Sequence, residues 1–263
     1  MKVRLFLLLA LAAGVAPAGA QLTKTQCTEA ERLPALTVPS PAEFFAAIDK
    51  AGKPDWMSFY RAPAPVIYPT RMRSALNLGA LVTDGYVAVE AQDGQQVKNT
   101  GKDIIALARA LGVGEDVLMR GKSITDFADK NDWFALREEL EATTNEVRRA
   151  IMAQRDESLA VLITIGAWLR ALEVGSRAAE LSGEETSAGL LQQKELIAFL
   201  RSELQGLTGK AQDEAVVQLT ATALAVVEEQ MTLPDGENFT AERVLAIKET
   251  AGTFVAEMAA KEE

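Results

Sequence analysis

Apolar residues recur along most of this chain at spacings of three and four, the interval that puts them on one face of an α-helix. Between 71 and 92 they fall at Met72, Leu76, Leu81, Val82 and Val89, and between 95 and 111 at Val97, Ile104, Ala108 and Leu111. A short segment opening at Ser123 leads to Asp132, which stands where an N-cap belongs before the stripe Trp133, Leu136, Leu140, Val147 and Ile151. Further amphipathic stretches cover 187–206, 211–231 and 241–259, the last with Thr240 as its cap. The stretch 158–181 differs, because from Leu159 to Leu169 Thr164 is the one clearly polar residue. A helix apolar all round is buried all round, so this segment belongs at the centre. No alternating pattern marks a strand, and no sequence repeat stands out. The pattern predicts an all-α fold, an antiparallel helical bundle or helical-hairpin array of about seven to eight helices.

Proline divides the chain further. Eight of the nine prolines lie at or before Pro69 and the ninth is Pro234, so no proline interrupts helices between 70 and 233. Residues 70–263 form the helical body, and residues 21–69 read as an N-terminal arm rich in proline and aromatic residues. The arm holds one short helix at about 41–51, with Ser40 as N-cap, Pro41 at the first helical position, Glu43 closing a capping box and Gly52 as the stop. From Lys53 to Pro69, prolines are interleaved with Trp56, Phe59, Tyr60 and Tyr68. That much apolar ring predicts a segment laid over the body, where it staples the arm down or covers an opening between helices.

The first 20 residues read as a secretory signal peptide: Lys2 and Arg4, an apolar run from Leu5 to Val15, then Ala18-Gly19-Ala20 with cleavage after Ala20. The expected location is periplasmic or secreted. The leader's apolar run falls short of the roughly 20 residues that span a bilayer. No later stretch reads as a membrane span, so no stable membrane insertion is expected after cleavage. Lys24-Thr25-Gln26 before Cys27 does not fit a lipid-anchor site.

Composition narrows the chemistry. The chain has no histidine, which excludes Ser-His-Asp and Cys-His catalysis and imidazole metal sites. Cys27 is the single cysteine, so no intrachain disulfide can form and Cys-rich metal clusters are excluded. Removing Lys2 and Arg4 with the leader leaves 25 basic residues against 37 acidic ones, a net charge of −12. That balance argues against nucleic acid as a partner and fits basic or neutral ligands. Gly121-Lys122-Ser123 resembles the end of a phosphate-binding loop, but Asp116 stands where that loop requires glycine. Gly112-Val113-Gly114 reads as a turn, and Asp235-Gly236-Glu237 lacks the alternating carboxylates of a calcium loop. No catalytic residue, metal site or cofactor is therefore assigned.

One polar constellation remains. Arg73, Asn77 and Asp84 lie four and seven residues apart on one predicted helix, and Arg170, Glu173 and Arg177 follow the most apolar stretch of the central one. Charges on packed helices must be paired, so the two sets are expected to meet, for instance as Asp84 with Arg170. They form either an internal ion-pair network or a polar pocket for a small ligand. Gly79, Gly85, Gly166 and Gly175 lie inside predicted helices, where glycine costs about 1 kcal/mol relative to alanine. Close helix-helix approach is the expected compensation. Three functional expectations follow: a non-catalytic exported binding or scaffold protein with a protein partner or small ligand, a small-molecule or lipid carrier lidded by the aromatic arm, or a carboxylate-based enzyme.

Overall fold

The computed structural model describes residues 40–115, 119–183, 185–207, 211–234 and 237–260, and no strand occurs among them. The expected leader, its cleavage site and Cys27 lie outside these residues, as do Asp116 and the Asp235-Gly236 pair. The helices are α1 (Pro41–Gly52), α2 (Arg71–Glu90), α3 (Gly94–Ala110), α4 (Arg120–Asp129), α5 (Trp133–Ala153), α6 (Glu157–Ser182), α7 (Glu185–Gly189), α8 (Lys194–Gln205), α9 (Ala215–Met231) and α10 (Ala241–Ala259), with a 3-10 turn at Trp56–Phe59. Nine of those described have ten residues or more, close to the seven or eight expected.

The helix ends follow local chemistry, with some departures from the sequence pattern. Asp132 and Thr240 act as N-caps, accepting from the backbone N–H groups of Ala135 (3.1 Å) and Arg243 (3.4 Å). Asp93 belongs to the start of α3, where it accepts from Gln96 N (2.9 Å). The capping box at Ser40 does not form: its side chain makes no cap bond, and Pro41 supplies the preset first-turn conformation instead. Lys53, at φ 43°, makes the left-handed residue after α1 that had been expected of Gly52. α4 starts at Arg120 rather than Ser123, because Arg120 is held by Glu139 and Glu146 of α5. The expected 187–206 helix breaks into α7 and α8. Gly189 weakens it there, and Leu191 in the intervening turn is fully buried.

α6 is the centre, as its apolar composition requires, and is buried along nearly its whole length. It is long and apolar enough to cross a membrane, contrary to the expectation of no such stretch; 89% of its apolar window is buried inside the bundle. Its main partner is α2, which is also apolar on most sides. The chain reverses direction at each step from α2 to α6: Leu111 beyond α3 meets Arg71, and Lys98 early in α3 meets Asp129 at the end of α4. Four reversals return α6 to the direction of α2, so this central pair runs parallel. Arg71 reaches Asp156 at one end of it, and Asp84 reaches Arg170 further along.

Glycine sets the separation of that pair. A Cβ on Gly79 would lie 1.9 Å from the carbonyl oxygen of Ile163, and one on Gly166 would lie 2.0 Å from that of Leu76. The contact is reciprocal, since each glycine faces the residue three before the other. The flanking sequences match in pattern, Leu76-Asn77-Leu78-Gly79-Ala80-Leu81-Val82 against Ile163-Thr164-Ile165-Gly166-Ala167-Trp168-Leu169. The Thr83 hydroxyl then bonds the Ala167 carbonyl across the same seam (2.8 Å). Gly175 makes room for the Phe44 ring of α1, 2.5 Å from where its Cβ would stand.

Gly79→Ala should lower unfolding stability by about 3 kcal/mol, the upper end of overpacking costs, because backbone rather than a mobile side chain blocks the methyl group. Gly114→Ala is the control, since a Cβ there has nothing within 4 Å. Urea denaturation of the two variants should show the first well below the native protein and the second within about 1 kcal/mol of it.

Candidate functional site

The parallel α2–α6 pair brings part of the polar constellation together. Asp84 lies five residues beyond Gly79 and Arg170 four beyond Gly166, so both rise about 6–8 Å from the crossing on the same side. The Arg170 Nε donates to Asp84 Oδ1 (2.8 Å), and its Nη1 pairs with Glu173 Oε2 (2.8 Å). Its Nη2 donates to the backbone carbonyl of Phe59 in the arm (2.6 Å). Arg170 is 1% exposed. Burial works against its charge, and the carboxylates of Asp84 and Glu173 more than offset this, so its pKa stands above the ordinary arginine value.

The second Asp84 oxygen accepts from Arg61 Nε (2.6 Å), another arm residue. Arg177, one turn past Glu173, donates from Nη2 to the Ser58 carbonyl (2.9 Å), and its guanidinium lies 5.4 Å from the centre of the Phe59 ring. The cluster therefore clasps the 3-10 turn, supplying donors to backbone carbonyls that a short turn leaves unpaired.

The other two constellation residues are elsewhere. Arg73 and Asn77 face the opposite end of α2, where they bind the end of α10: Arg73 Nε and Asn77 Nδ2 both donate to the Met258 carbonyl (2.9 and 2.8 Å). Orphan carbonyls at a helix C-terminus attract such donors. Shared helix face was not enough, because Asn77 and Asp84 are separated by about 10 Å of helix rise.

The aromatic arm is packed rather than poised. Trp56 and Phe59 are buried and join Phe44, Phe45 and Trp168 in a ladder of ring contacts at 5.4–5.9 Å. The Trp56 indole N–H donates to Asp49 (2.8 Å). Tyr60 is half-buried and its hydroxyl donates to Asp93 (3.3 Å); burial and that carboxylate raise its pKa. Tyr68 is also half-buried. Burial pushes its pKa up to about 12, against the opposing charges of Arg61 and Arg73.

Sequence reasoning missed Arg61 and Arg148. Arg61 is the lone basic residue between Pro54 and Pro69, a usable signal in retrospect. Its Nη1 and Nη2 and the Tyr68 hydroxyl are buried without a hydrogen-bond partner. Arg148 on α5 is 4% exposed, and burial lowers its pKa to about 10; its Nε and Nη2 lack partners.

Three pockets among the described residues lie away from the cluster. A pocket of about 490 Å³ opens where α6, α7 and α10 meet, with Ala179, Phe239, Val244 and Leu245 in its wall and Glu180 and Glu242 beside them. Across α7, a second of about 300 Å³ includes Ile48, Asp55, Gly175, Leu181 and Ser187. A third, about 280 Å³, lies between α3 and α4 beside Lys98, Lys102 and Arg109. None of the three has Trp56, Phe59, Tyr60 or Tyr68 in its wall. Among the described residues no group of three or more Asp, Glu or Cys side chains could hold a metal ion. No protein-family model, curated protein or solved structure matches this chain.

Asp84→Ala should cost about 3–5 kcal/mol, because it leaves Arg170 buried with one carboxylate and frees Arg61. Limited trypsin digestion reads the second effect: cleavage after Arg61 should appear in the variant at concentrations that leave the native chain intact.

Proposed function

We propose that this chain is an exported, non-catalytic binding protein whose ligand face is the end of the bundle formed by α6, α7 and α10. The observation that carries this reading is the division of labour among its polar groups. Arg170, Asp84, Glu173 and Arg177 are engaged with one another and with the arm, whereas the 490 Å³ pocket is concave, mostly apolar in its walls and edged by carboxylates. Its volume falls in the range of small-ligand sites.

The ligand chemistry follows from the lining. Glu242 is fully exposed, and hydrogen bonds from its own backbone N–H and from the Thr240 hydroxyl hold its carboxyl below the usual range. Glu180 bridges to Lys248 (2.8 Å). Asp55 adds a third acid at the neighbouring pocket, and the two pockets share Ala179. Leu181, 67% exposed, and Leu245, 40% exposed, extend the apolar area. A ligand with a cationic group on an apolar body suits this surface, such as a basic segment of a protein partner. A small carried molecule of the same chemistry is the second reading, favoured by the volume of the pocket. The leader at 1–20 supports export, to the periplasm or the exterior.

Titration of the isotope-labelled protein with a short lysine–leucine peptide should give saturable NMR shifts at Ala179, Val244 and Leu245. A glutamate–leucine peptide should give none, and Ala188→Trp, which fills the pocket, should abolish the response. Equal response to both peptides, or shifts unaffected by Ala188→Trp, would contradict the proposal.

A further inference from the structure

The pocket between α3 and α4 is out of keeping with the charge of the chain. Acids outnumber bases by 37 to 27. Yet the charged residues in the wall of this pocket, of about 280 Å³, are Lys98, Lys102 and Arg109, with no carboxylate among them. Lys98 and Lys102 stand one helical turn apart, a spacing at which like charges disfavour the helix. Asp129 of α4 offsets the first by pairing with Lys98 Nζ (2.8 Å). Lys102 and Arg109 are exposed and bond to no carboxylate among the described residues. Arg109 lies in the last turn of α3, where a cation complements the helix end. Lys102, in the middle of the helix, has no such role.

The order of residues along α3 gives the pocket two ends. Lys98, Lys102, Ile105 and Arg109 fall at intervals of four, three and four, which makes them one stripe. Ile105 and Ala106 occupy the interval between Lys102 and Arg109, and Ile124 joins them from α4. A Cβ on Gly121 would lie 3.2 Å from Ile105 Cγ1, and one on Gly101 would lie 3.2 Å from Ile124 Cγ2, so each isoleucine packs against a bare stretch of the other helix. From Lys102 to Arg109 the helix rises about 10 Å. The lining therefore reads cation, apolar surface, cation.

We propose that this pocket binds an elongated organic dianion, with one acid group held by Lys102 beside Lys98, the other by Arg109, and a hydrocarbon spacer over Ile105 and Ile124. Charge selects the ligand, because a chain of net charge −10 repels anions over most of its surface and gathers three cations here. An exposed cation alone holds a carboxylate weakly. Joining two such contacts through a spacer of matching length makes the second one intramolecular, so a two-ended ligand is preferred over a one-ended one. The volume stands at the lower edge of small-ligand pockets, which keeps the spacer short. This site is independent of the pocket at α6, α7 and α10, which is edged by carboxylates and selects the opposite charge.

Titration of the isotope-labelled protein with suberate at low ionic strength tests the proposal, since the carboxylates of extended suberate span about the distance from Lys102 to Arg109. Saturable NMR shifts should appear at the backbone N–H groups of Gly101, Ile105 and Gly121, and binding should weaken as salt is added. Octanoate, with one acid group, and succinate, with too short a spacer, should each bind about tenfold more weakly. Lys102→Gln and Arg109→Gln should each bring suberate down to the level of octanoate. Their circular dichroism melts should match the native one, because both side chains are exposed. Absence of saturable shifts with suberate overturns the inference. A response that octanoate or inorganic phosphate equals, or that survives both substitutions together, is a general anion effect and overturns it as well.

Discussion

The backbone contact between α2 and α6 at Gly79 and Gly166 is the constraint on which the rest of this structure depends. Two helices carrying ordinary side chains keep their axes about 8–10 Å apart, and here the missing Cβ atoms let main chain meet main chain. Each glycine costs about 1 kcal/mol of helix propensity, offset by the packing that close approach allows along both helices. Because the contact is reciprocal, neither glycine can change alone without pushing a methyl group into a carbonyl of the other helix. Because the pair runs parallel, residues at equal distances past each glycine come to the same height. An antiparallel pair would have sent Asp84 and Arg170 to opposite ends.

That geometry gives the buried charges their role. Arg170 is nearly inaccessible to water, and an isolated charge there would be costly. It is surrounded by Asp84, Glu173 and the Phe59 carbonyl, so its donors are directed at fixed protein acceptors. Arg61 and Arg177 extend the same arrangement to the arm on either side of Phe59. The ring ladder from Trp168 through Phe44, Phe45 and Trp56 to Phe59 then seals the arm against the core. A site so tightly occupied by its own chain holds a fold together, and it directs the search for ligands to the open ends and faces of the bundle.

Much of the architecture was legible because it rests on side-chain period. The all-helical class, the central position of α6 and the caps at Asp132 and Thr240 follow from apolar spacing and from small polar residues at helix starts. The interior glycines also announced close approach, since a propensity cost inside a helix requires a packing reason. The parallel sense of α2 and α6 was hidden, as it follows from the number of reversals between them rather than from either sequence. The carbonyls of Ser58, Phe59 and Met258 were equally invisible, because every residue carries the same acceptor and only the fold selects which are reached. For that reason Arg73 and Asn77 looked like partners of Asp84 when they serve the end of α10. Arg148 lies beyond any such reading, and among the described residues its Nε and Nη2 meet no acceptor.

The central claim is that arm, α2 and α6 form one cooperative unit joined at the glycine crossing and fastened by Arg170. Native-state hydrogen exchange tests it directly, with the Trp56 indole N–H as reporter for the arm and the backbone N–H groups of Leu81 and Leu169 for the helix pair. The account predicts that all three exchange through the same global opening, with equal free energies and equal denaturant dependence. Exchange of the Trp56 indole through a separate opening lower by about 2 kcal/mol or more would contradict it, and would make the arm a mobile cover over the bundle.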